Sequence, residues 1–164
     1  MATLTLLRGQ TALIDDEDLP KVAGYRWLLS AKGYVIARVW DGLRANTVWL
    51  HRLVAGNPVG LDVDHKDRND KLDNRKSNLR PATRRQNTGN RVKQSNGLTS
   101  KYKGVSWHSA GQGYWRAKLS FRDIANKPRH RHLGLFTDEV EAAKAYDAAA
   151  IIHFGKEFAL LNFP

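Results

Sequence analysis

The chain has 164 residues, a formal net charge of +11 and no cysteine, and 41% of its residues are hydrophobic. Length and composition fit one ordinary domain or two small ones and exclude a wholly disordered chain, while the lack of Cys excludes disulfides and thiolate zinc sites. The charge indicates a polyanionic partner, because Lys and Arg release counterions from phosphates; the alternative is a basic protein without such a partner.

Residues 1–56 contain short runs of strand-forming residues at 11–14, 34–40 and 45–54, separated by polar turns. Gly33-Tyr34 and Asp41-Gly42 are the strongest turn signals. Runs of this length with such turns predict a small antiparallel sheet.

Charge is distributed unevenly along the chain. The segment from Asp15 to Asp18 is acidic, whereas Arg80 to His132 is rich in Lys and Arg with Asp123 as its only acid. We therefore expect nucleic acid to lie mainly against the middle of the chain, which leaves the earlier carboxylates free for other work.

The stretch 63–87 carries the residues that are best suited to catalysis. An apolar strand through Val59, Leu61 and Val63 is predicted to end at Asp64-His65, followed by a polar loop and a helix-compatible run from 82 to 91. Mg²⁺ prefers oxygen ligands and needs only one or two from the protein. An imidazole with a pKa near ~6.5 can take a proton from water at neutral pH. An isolated Asp-His pair is more commonly a solvated turn, so the interpretation depends on spaced partners.

With Asn78 and Asn87 in place, this run resembles an HNH nuclease of the ββα-metal class, in the subgroup with Asn at the third motif position. WLHRLV (49–54) and NRKSNLRPAT (74–83) extend the resemblance over roughly residues 10–92. It implies Asp64 as a metal ligand, His65 as general base, Asn78 as the residue that ties the loop and orients the imidazole, and Asn87 as second metal ligand. Asn74 and Asn90 are alternatives to Asn87, and His51 is interpreted as structural.

The resemblance also implies the chemistry. The metal, Mg²⁺ or Mn²⁺, would contact the scissile phosphate and stabilise the leaving 3′-oxygen, giving 5′-phosphate and 3′-hydroxyl ends. The zinc-binding version of the family is excluded by the lack of Cys and of a second nearby His. Beside such a centre Arg84, Arg85 and Arg91 are expected to contact backbone phosphates, although a solvated helix face is the alternative.

A second pattern follows a polar linker predicted at 93–100. Runs at 102–107, 113–121 and 129–136 mix aromatic, β-branched and basic residues and predict a three-stranded antiparallel sheet. Residues 137–155 predict a helix with Thr137 as N-cap and Gly155 at its C-terminal end. Alternation puts Trp115, Ala117 and Leu119 against the helix and leaves a basic, polar outer face.

Residues 101–164 resemble the Apetala/ethylene-response-factor DNA-binding domain through KYKGVSW, YWRAKL, HLGLFTDEVEAAKAYDAAAIIHFG and LNFP. This implies a sheet that enters the major groove with a helix behind it. The positions that correspond to DNA contacts in the family are Lys103, Ser106, His108, Lys118, Ser120, His130 and His132, to which alternation adds Arg116. Several of these positions hold Arg or Trp in the plant proteins, so the plant target sequence cannot be transferred.

No apolar run approaches the ~18 residues of a membrane span, and MATLTLLRGQ has no signal-peptide core with a cleavage site. We therefore expect an intracellular, monomeric protein without membrane contact, in a host cytoplasm if phage-encoded.

Together the sequence predicts an α+β chain with an HNH nuclease domain at 1–92, its ββα-metal core at about 57–92, and a DNA-binding domain at 101–164. The predicted function is a homing-type, phage-encoded endonuclease that nicks or cuts double-stranded DNA. The alternatives are a DNA-binding transcriptional regulator with an inactive nuclease scaffold and, with less support, an RNA-binding module.

Overall fold

A computed structural model of the chain describes residues 1–90, 99–109, 113–125 and 127–164. The chain divides into two compact units, Met1–Thr83 and Arg84–Pro164, called here the first and second units. Within the described ranges the secondary structure comprises four α-helices and several small antiparallel sheets, which confirms the predicted α+β class. No helix among these residues is long and apolar enough to cross a membrane. Residues 93–98 of the predicted linker lie outside the described residues.

The first unit is built from short strands. Its elements are β1 (Ala2–Thr5), β2 (Thr11–Ile14), a 3-10 turn (Asp16–Asp18), α1 (Leu19–Val22), β3 (Trp27–Leu29), β4 (Val35–Trp40), β5 (Ala45–Trp49), α2 (Leu50–Val54), β6 (Asp62–His65) and β7 (Leu79–Ala82). β1–β2 and β6–β7 are antiparallel hairpins, and β3–β4–β5 is the small antiparallel sheet that the turn signals predicted. The core of the unit joins residues from all of these layers, among them Ile14, Trp27, Val35, Leu50, Val54, Val63 and Leu79.

Three local predictions in this unit were wrong. Residues 50–54 form helix α2 rather than a strand, because Leu50 and Val54 lie one helical turn apart and are both buried. Strand β6 begins at Asp62 instead of Val59, whose side chain is exposed; Asn57 and Gly60 have positive φ angles that interrupt an extended chain. Ala82 belongs to strand β7 and not to a helix, because it is paired with Asp62 of β6 and its side chain is buried.

The second unit has a sheet and a long helix. Its elements are α3 (Arg84–Gly89), β8 (Val105–His108), β9 (Tyr114–Arg122), β10 (Pro128–Phe136) and α4 (Glu139–Phe154). The strands pair antiparallel in the order β10-β9-β8 and overlap the predicted runs. The inward residues of β8 and β9 are Val105, Ala117 and Leu119, which pack against Ala142, Ala143, Tyr146, Ala150 and Phe154 of α4.

The N-cap of helix α4 lies one residue later than the predicted N-cap. Asp138, and not Thr137, is the N-cap, and its carboxylate accepts a hydrogen bond from the Glu141 backbone N–H at 2.9 Å. Gly155 follows the last helical residue with φ 89°, as predicted for the C-terminal end. The alanines on the buried face of α4 let the helix approach the sheet closely. Because the helix covers one face of the sheet, the opposite face is its outer surface.

Candidate functional site

The candidate catalytic pair lies at the end of strand β6. Asp64 and His65 are opposite Arg80 and Leu79 in the antiparallel register with β7. Both side chains are largely shielded from water, with Asp64 9% and His65 3% exposed. The flanking Val63 and Leu79 anchor the hairpin in the core, so the pair sits on a rigid element.

Asn78 ties together the loop between β6 and β7, residues 66–78, called here the site loop. Its side-chain oxygen accepts a hydrogen bond from the Asp67 N–H at 2.9 Å. Its amide nitrogen donates to the carbonyls of Asp73 at 2.9 Å and Asp70 at 3.3 Å. Each bond closes a different part of the loop. The Asn78 side chain therefore stabilises the loop through hydrogen bonds to its backbone.

The imidazole contact that was expected of Asn78 is instead made by Asn74. The Nε2 atom of His65 lies 3.3 Å from the Oδ1 atom of Asn74, whose side chain is fully buried. The Asn74 amide nitrogen donates to the carbonyls of Leu72 and Lys71, which fixes which end of the amide faces the ring. Because an amide oxygen only accepts, Nε2 carries the proton in the neutral ring and Nδ1 is the nitrogen that can accept one.

His65 is enclosed by other rings. Its centroid lies 5.2 Å from that of His51 and 6.0 Å from that of Tyr34. Burial lowers the pKa of His65, against the opposing effects of the Asn74 hydrogen bond and the Asp64 charge. Burial likewise lowers the pKa of His51 to about 3. Both rings are therefore neutral at neutral pH, the state in which an imidazole can act as a base.

The His51 pKa predicts a loss of stability in acid. An unfolded histidine titrates near ~6.5, so below that pH the unfolded chain binds a proton that folded His51 does not. The stability contributed by neutral His51 is complete above pH 6.5 and is lost as pH falls toward 3. The loss is roughly 1.4 kcal/mol per pH unit, or about 2 kcal/mol by pH 5.

Urea unfolding followed by circular dichroism at pH 7 and pH 5 measures this difference. In His51→Gln the change between the two pH values should shrink, whereas His132→Gln, at an exposed position, should retain it. An equal pH dependence in His51→Gln and the parent would contradict the assignment.

The amino-terminal hairpin holds the site loop from outside. Leu13 donates its N–H to the Leu72 carbonyl, and the Asn74 N–H donates to the Leu13 carbonyl, both at 2.8 Å. The Lys76 N–H donates to the Asp15 carboxylate at 2.8 Å. The Lys76 ammonium also pairs with Glu17. The acidic segment 15–18, for which the sequence predicted no specific role, therefore holds Lys76, two residues after Asn74, in place.

The donor chemistry of the site fits Mg²⁺. Asp64 offers a carboxylate at the end of a rigid strand, and Mg²⁺ is commonly held by one or two protein oxygens with water and phosphate in the remaining positions. Within the described ranges, no group of three or more His, Cys, Asp or Glu side chains could hold a metal ion. The other predicted ligand, Asn87, lies in helix α3 of the second unit and stays a prediction.

Helix α3 is part of the second unit. Gly89 at its end packs against Phe154, and its carbonyl accepts hydrogen bonds from the Lys103 ammonium at 2.7 Å and the Leu160 N–H at 3.2 Å. The predicted phosphate contacts Arg84 and Arg85 lie on this helix and are exposed. Arg91 lies outside the described residues. Lys103, predicted to contact DNA, is thus engaged with the backbone of α3.

The outer face of the β8–β10 sheet brings together most of the predicted DNA-contacting residues. Cross-strand partners on this face are Ser106 with Arg116, His108 with Tyr114, Lys118 with His132, and Ser120 with His130. Hydrogen bonds join Arg116 to Ser106 at 3.3 Å and His130 to Ser120 at 3.0 Å. This face is polar and basic, as the alternation indicated.

Sequence reasoning missed several residues around both sites. Tyr114 and the exposed Arg122 extend the outer row of β9, and the alternation that identified Ser120 would have reached both. In the first unit, Arg80 contacts Asp64 because it lies directly opposite on β7. Only knowledge of that pairing could have identified Arg80. Trp107 is 43% exposed, and its ring packs edge-on against the ring of Trp115.

The chain is similar to two kinds of known protein. An uncharacterized HNH endonuclease of Acanthamoeba polyphaga mimivirus is 31% identical over 156 residues, which is 94% of this chain and 76% of the viral protein. APETALA2-like protein 2 of rice, Oryza sativa, is 45% identical over 65 residues, or 40% of this chain and 14% of the plant protein. No family model matches the chain. The match along nearly the whole length shows that the chain belongs to the HNH endonuclease family.

Proposed function

We propose that the protein is a metal-dependent endonuclease that hydrolyses phosphodiester bonds in double-stranded DNA. The observation that carries the proposal is the neutral, buried His65 beside Asp64 at the end of β6, held by Asn74 in a loop that Asn78 closes. A base and a carboxylate on one rigid strand are what hydrolysis of a phosphodiester needs from the protein. The printed name of the mimivirus relative, an HNH endonuclease, supports the same activity.

In this proposal His65 is the general base. Asn74 keeps the proton on Nε2, which leaves Nδ1 to take a proton from the attacking water. Such a base contributes about 10²–10⁴-fold to the rate. Asp64, with Asn87 as the second predicted ligand, would hold Mg²⁺ or Mn²⁺. The metal, when bound, would supply a Lewis acid for the phosphate oxygens and for the leaving oxygen.

The outer face of the β8–β10 sheet is proposed to select the DNA target. Its arginine, lysine, serine and histidine side chains offer the donors and acceptors that base edges in a major groove can match. The similarity of 65 residues to a rice APETALA2-like protein supports a DNA-binding role. A homing function and a phage or viral origin are part of the same proposal, since the long match is to a viral protein.

The direct test is a cleavage assay on supercoiled plasmid at neutral pH, with Mg²⁺ or Mn²⁺ and with EDTA. We expect nicked or linear DNA only when metal is present, and its loss in Asp64→Ala. A separate gel-shift assay on duplex DNA in EDTA should show binding by both proteins. Binding without metal-dependent cleavage would refute the nuclease proposal and favour a regulator with an inactive scaffold.

A further inference from the structure

The β6–β7 hairpin places a cation opposite the candidate metal ligand. Asp64 and Arg80 are directly paired in the strand register. The Nη2 and Nε atoms of Arg80 both donate to Oδ2 of Asp64, at 2.8 and 3.2 Å. The exposed fractions of the two side chains are 13% for Arg80 and 10% for Asp64. The ion pair is therefore fixed by the backbone and largely shielded from solvent.

The burial of the Arg80–Asp64 ion pair determines how strongly Arg80 affects the affinity of Asp64 for a metal ion. In bulk water a nearby guanidinium would be screened and would change the affinity of a carboxylate for a cation only slightly. In a mostly buried pair the screening is weak, so the positive charge of Arg80 opposes a second cation at the same carboxylate. The two hydrogen bonds also occupy directions around Oδ2 that a metal could otherwise use.

We propose that Arg80 is the counter-ion of Asp64 in the metal-free protein and that it competes with the divalent metal for this carboxylate. The inference rests on the proposed function, because it takes Asp64 as a metal ligand. In the resting protein Arg80 offsets the negative charge of the largely buried Asp64 carboxylate. When a metal binds, Asp64 exchanges part or all of its contact with Arg80 for the metal. Arg80 thereby sets the metal concentration at which the site is loaded.

The test measures binding of Mn²⁺ to the full-length protein without DNA, by calorimetry and by the paramagnetic resonance signal of free Mn²⁺. Arg80→Gln removes the charge and leaves a shorter polar side chain. We expect it to bind Mn²⁺ about tenfold more tightly than the parent, a typical coupling between sites that share a group. Asp64→Ala should abolish the site in either background.

Two further variants guard the interpretation. Arg44→Gln removes the same charge from the same unit, at an exposed turn where Arg44 pairs with Asp41 at 3.8 Å, and should leave Mn²⁺ affinity unchanged. Arg80→Met also removes the charge, in case Arg80→Gln does not fold, and should then bind Mn²⁺ about tenfold more tightly than the parent. Circular dichroism checks the fold of each variant.

The outcomes separate this inference from the proposed function. If the parent binds Mn²⁺ through Asp64 but Arg80→Gln binds no more tightly, Arg80 does not compete and the inference fails while the nuclease proposal stands. If Arg80→Gln does not fold, parent-like Mn²⁺ affinity in Arg80→Met overturns the inference, and tighter binding in Arg80→Met supports it. If neither the parent nor Arg80→Gln binds Mn²⁺ at Asp64, both proposals are overturned.

Discussion

Replacing His65 with alanine is expected to reduce metal-dependent DNA cleavage by about 10²–10⁴-fold, the usual contribution of a positioned general base. The His65 side chain is 3% exposed, and its lowered pKa keeps the ring neutral at neutral pH. The hydrogen bond from Nε2 to Asn74 fixes the orientation of the ring. The loss should appear in kcat rather than in DNA affinity. Single-turnover cleavage of a labelled duplex, with gel-shift binding in EDTA, measures the two separately.

Asn74 gives a graded version of the same test. Asn74→Ala removes the acceptor of the Nε2 bond but leaves the imidazole, so its cleavage rate should fall between those of the parent and His65→Ala. His153→Ala, a histidine of the second unit, is the matched control and should keep cutting. If His65→Ala and the parent cut at equal rates, the catalytic centre lies elsewhere.

The second large effect is expected from Gly104→Ala. Gly104 has φ +76°, and a Cβ atom there would lie 1.9 Å from Cδ2 of Tyr146, which is 3% exposed and packed in the core under the sheet. Left-handed backbone costs about 1–2 kcal/mol in a residue with a side chain. Forced repacking typically adds about 1–3 kcal/mol. The second unit should therefore lose roughly 2–5 kcal/mol of its free energy of unfolding.

Gly155→Ala separates the two contributions. Gly155 also has positive φ, but the nearest neighbour of an added Cβ is Cδ2 of Phe158, at an ordinary contact distance of 4.0 Å. Chemical unfolding of the full chain should show only the backbone cost in Gly155→Ala, about 1–3 kcal/mol. The loss should be larger in Gly104→Ala, where the contact with Tyr146 is added. Gel-shift titration of Gly104→Ala should show weakened DNA binding if the sheet carries recognition. Equal unfolding of the two variants would mean that Tyr146 does not pack as described.

The sequence alone predicted the second unit better than the first. Its strands alternate regularly and are separated by turns that contain glycine or proline, so the inward Ala117 and Leu119 could be identified from spacing. In the first unit, helix α2 is a single turn, too short for a helical period to stand out from strand-like Leu and Val. Strand β7 contains Pro81, a residue that ordinarily argues against a strand.

The candidate catalytic pair, Asp64 and His65, could be selected from the sequence motif, but the side chains that contact the pair could not be predicted. Arg80 reaches Asp64 because of the β6–β7 register, and Asn74 rather than Asn78 reaches His65 because the loop between them folds back. Such contacts depend on the path of the loop and not on sequence spacing. Spacing identified Asn78 correctly as a loop residue, yet it could not distinguish an amide that bonds the backbone from one that bonds the ring.

The bonds between the amino-terminal hairpin and the site loop have a consequence for folding. Asp15 and Lys76 are separated by 61 positions in the chain. Leu13 and Asn74, which are also hydrogen-bonded, are equally far apart in sequence. Contacts between such distant segments form late, after a long loop has closed. The site should therefore assemble cooperatively with the whole first unit, and a nascent or partly unfolded chain would carry the Asp64-His65 motif without a working base. Under the proposed function, the hairpin would make activity depend on completed folding of the first unit.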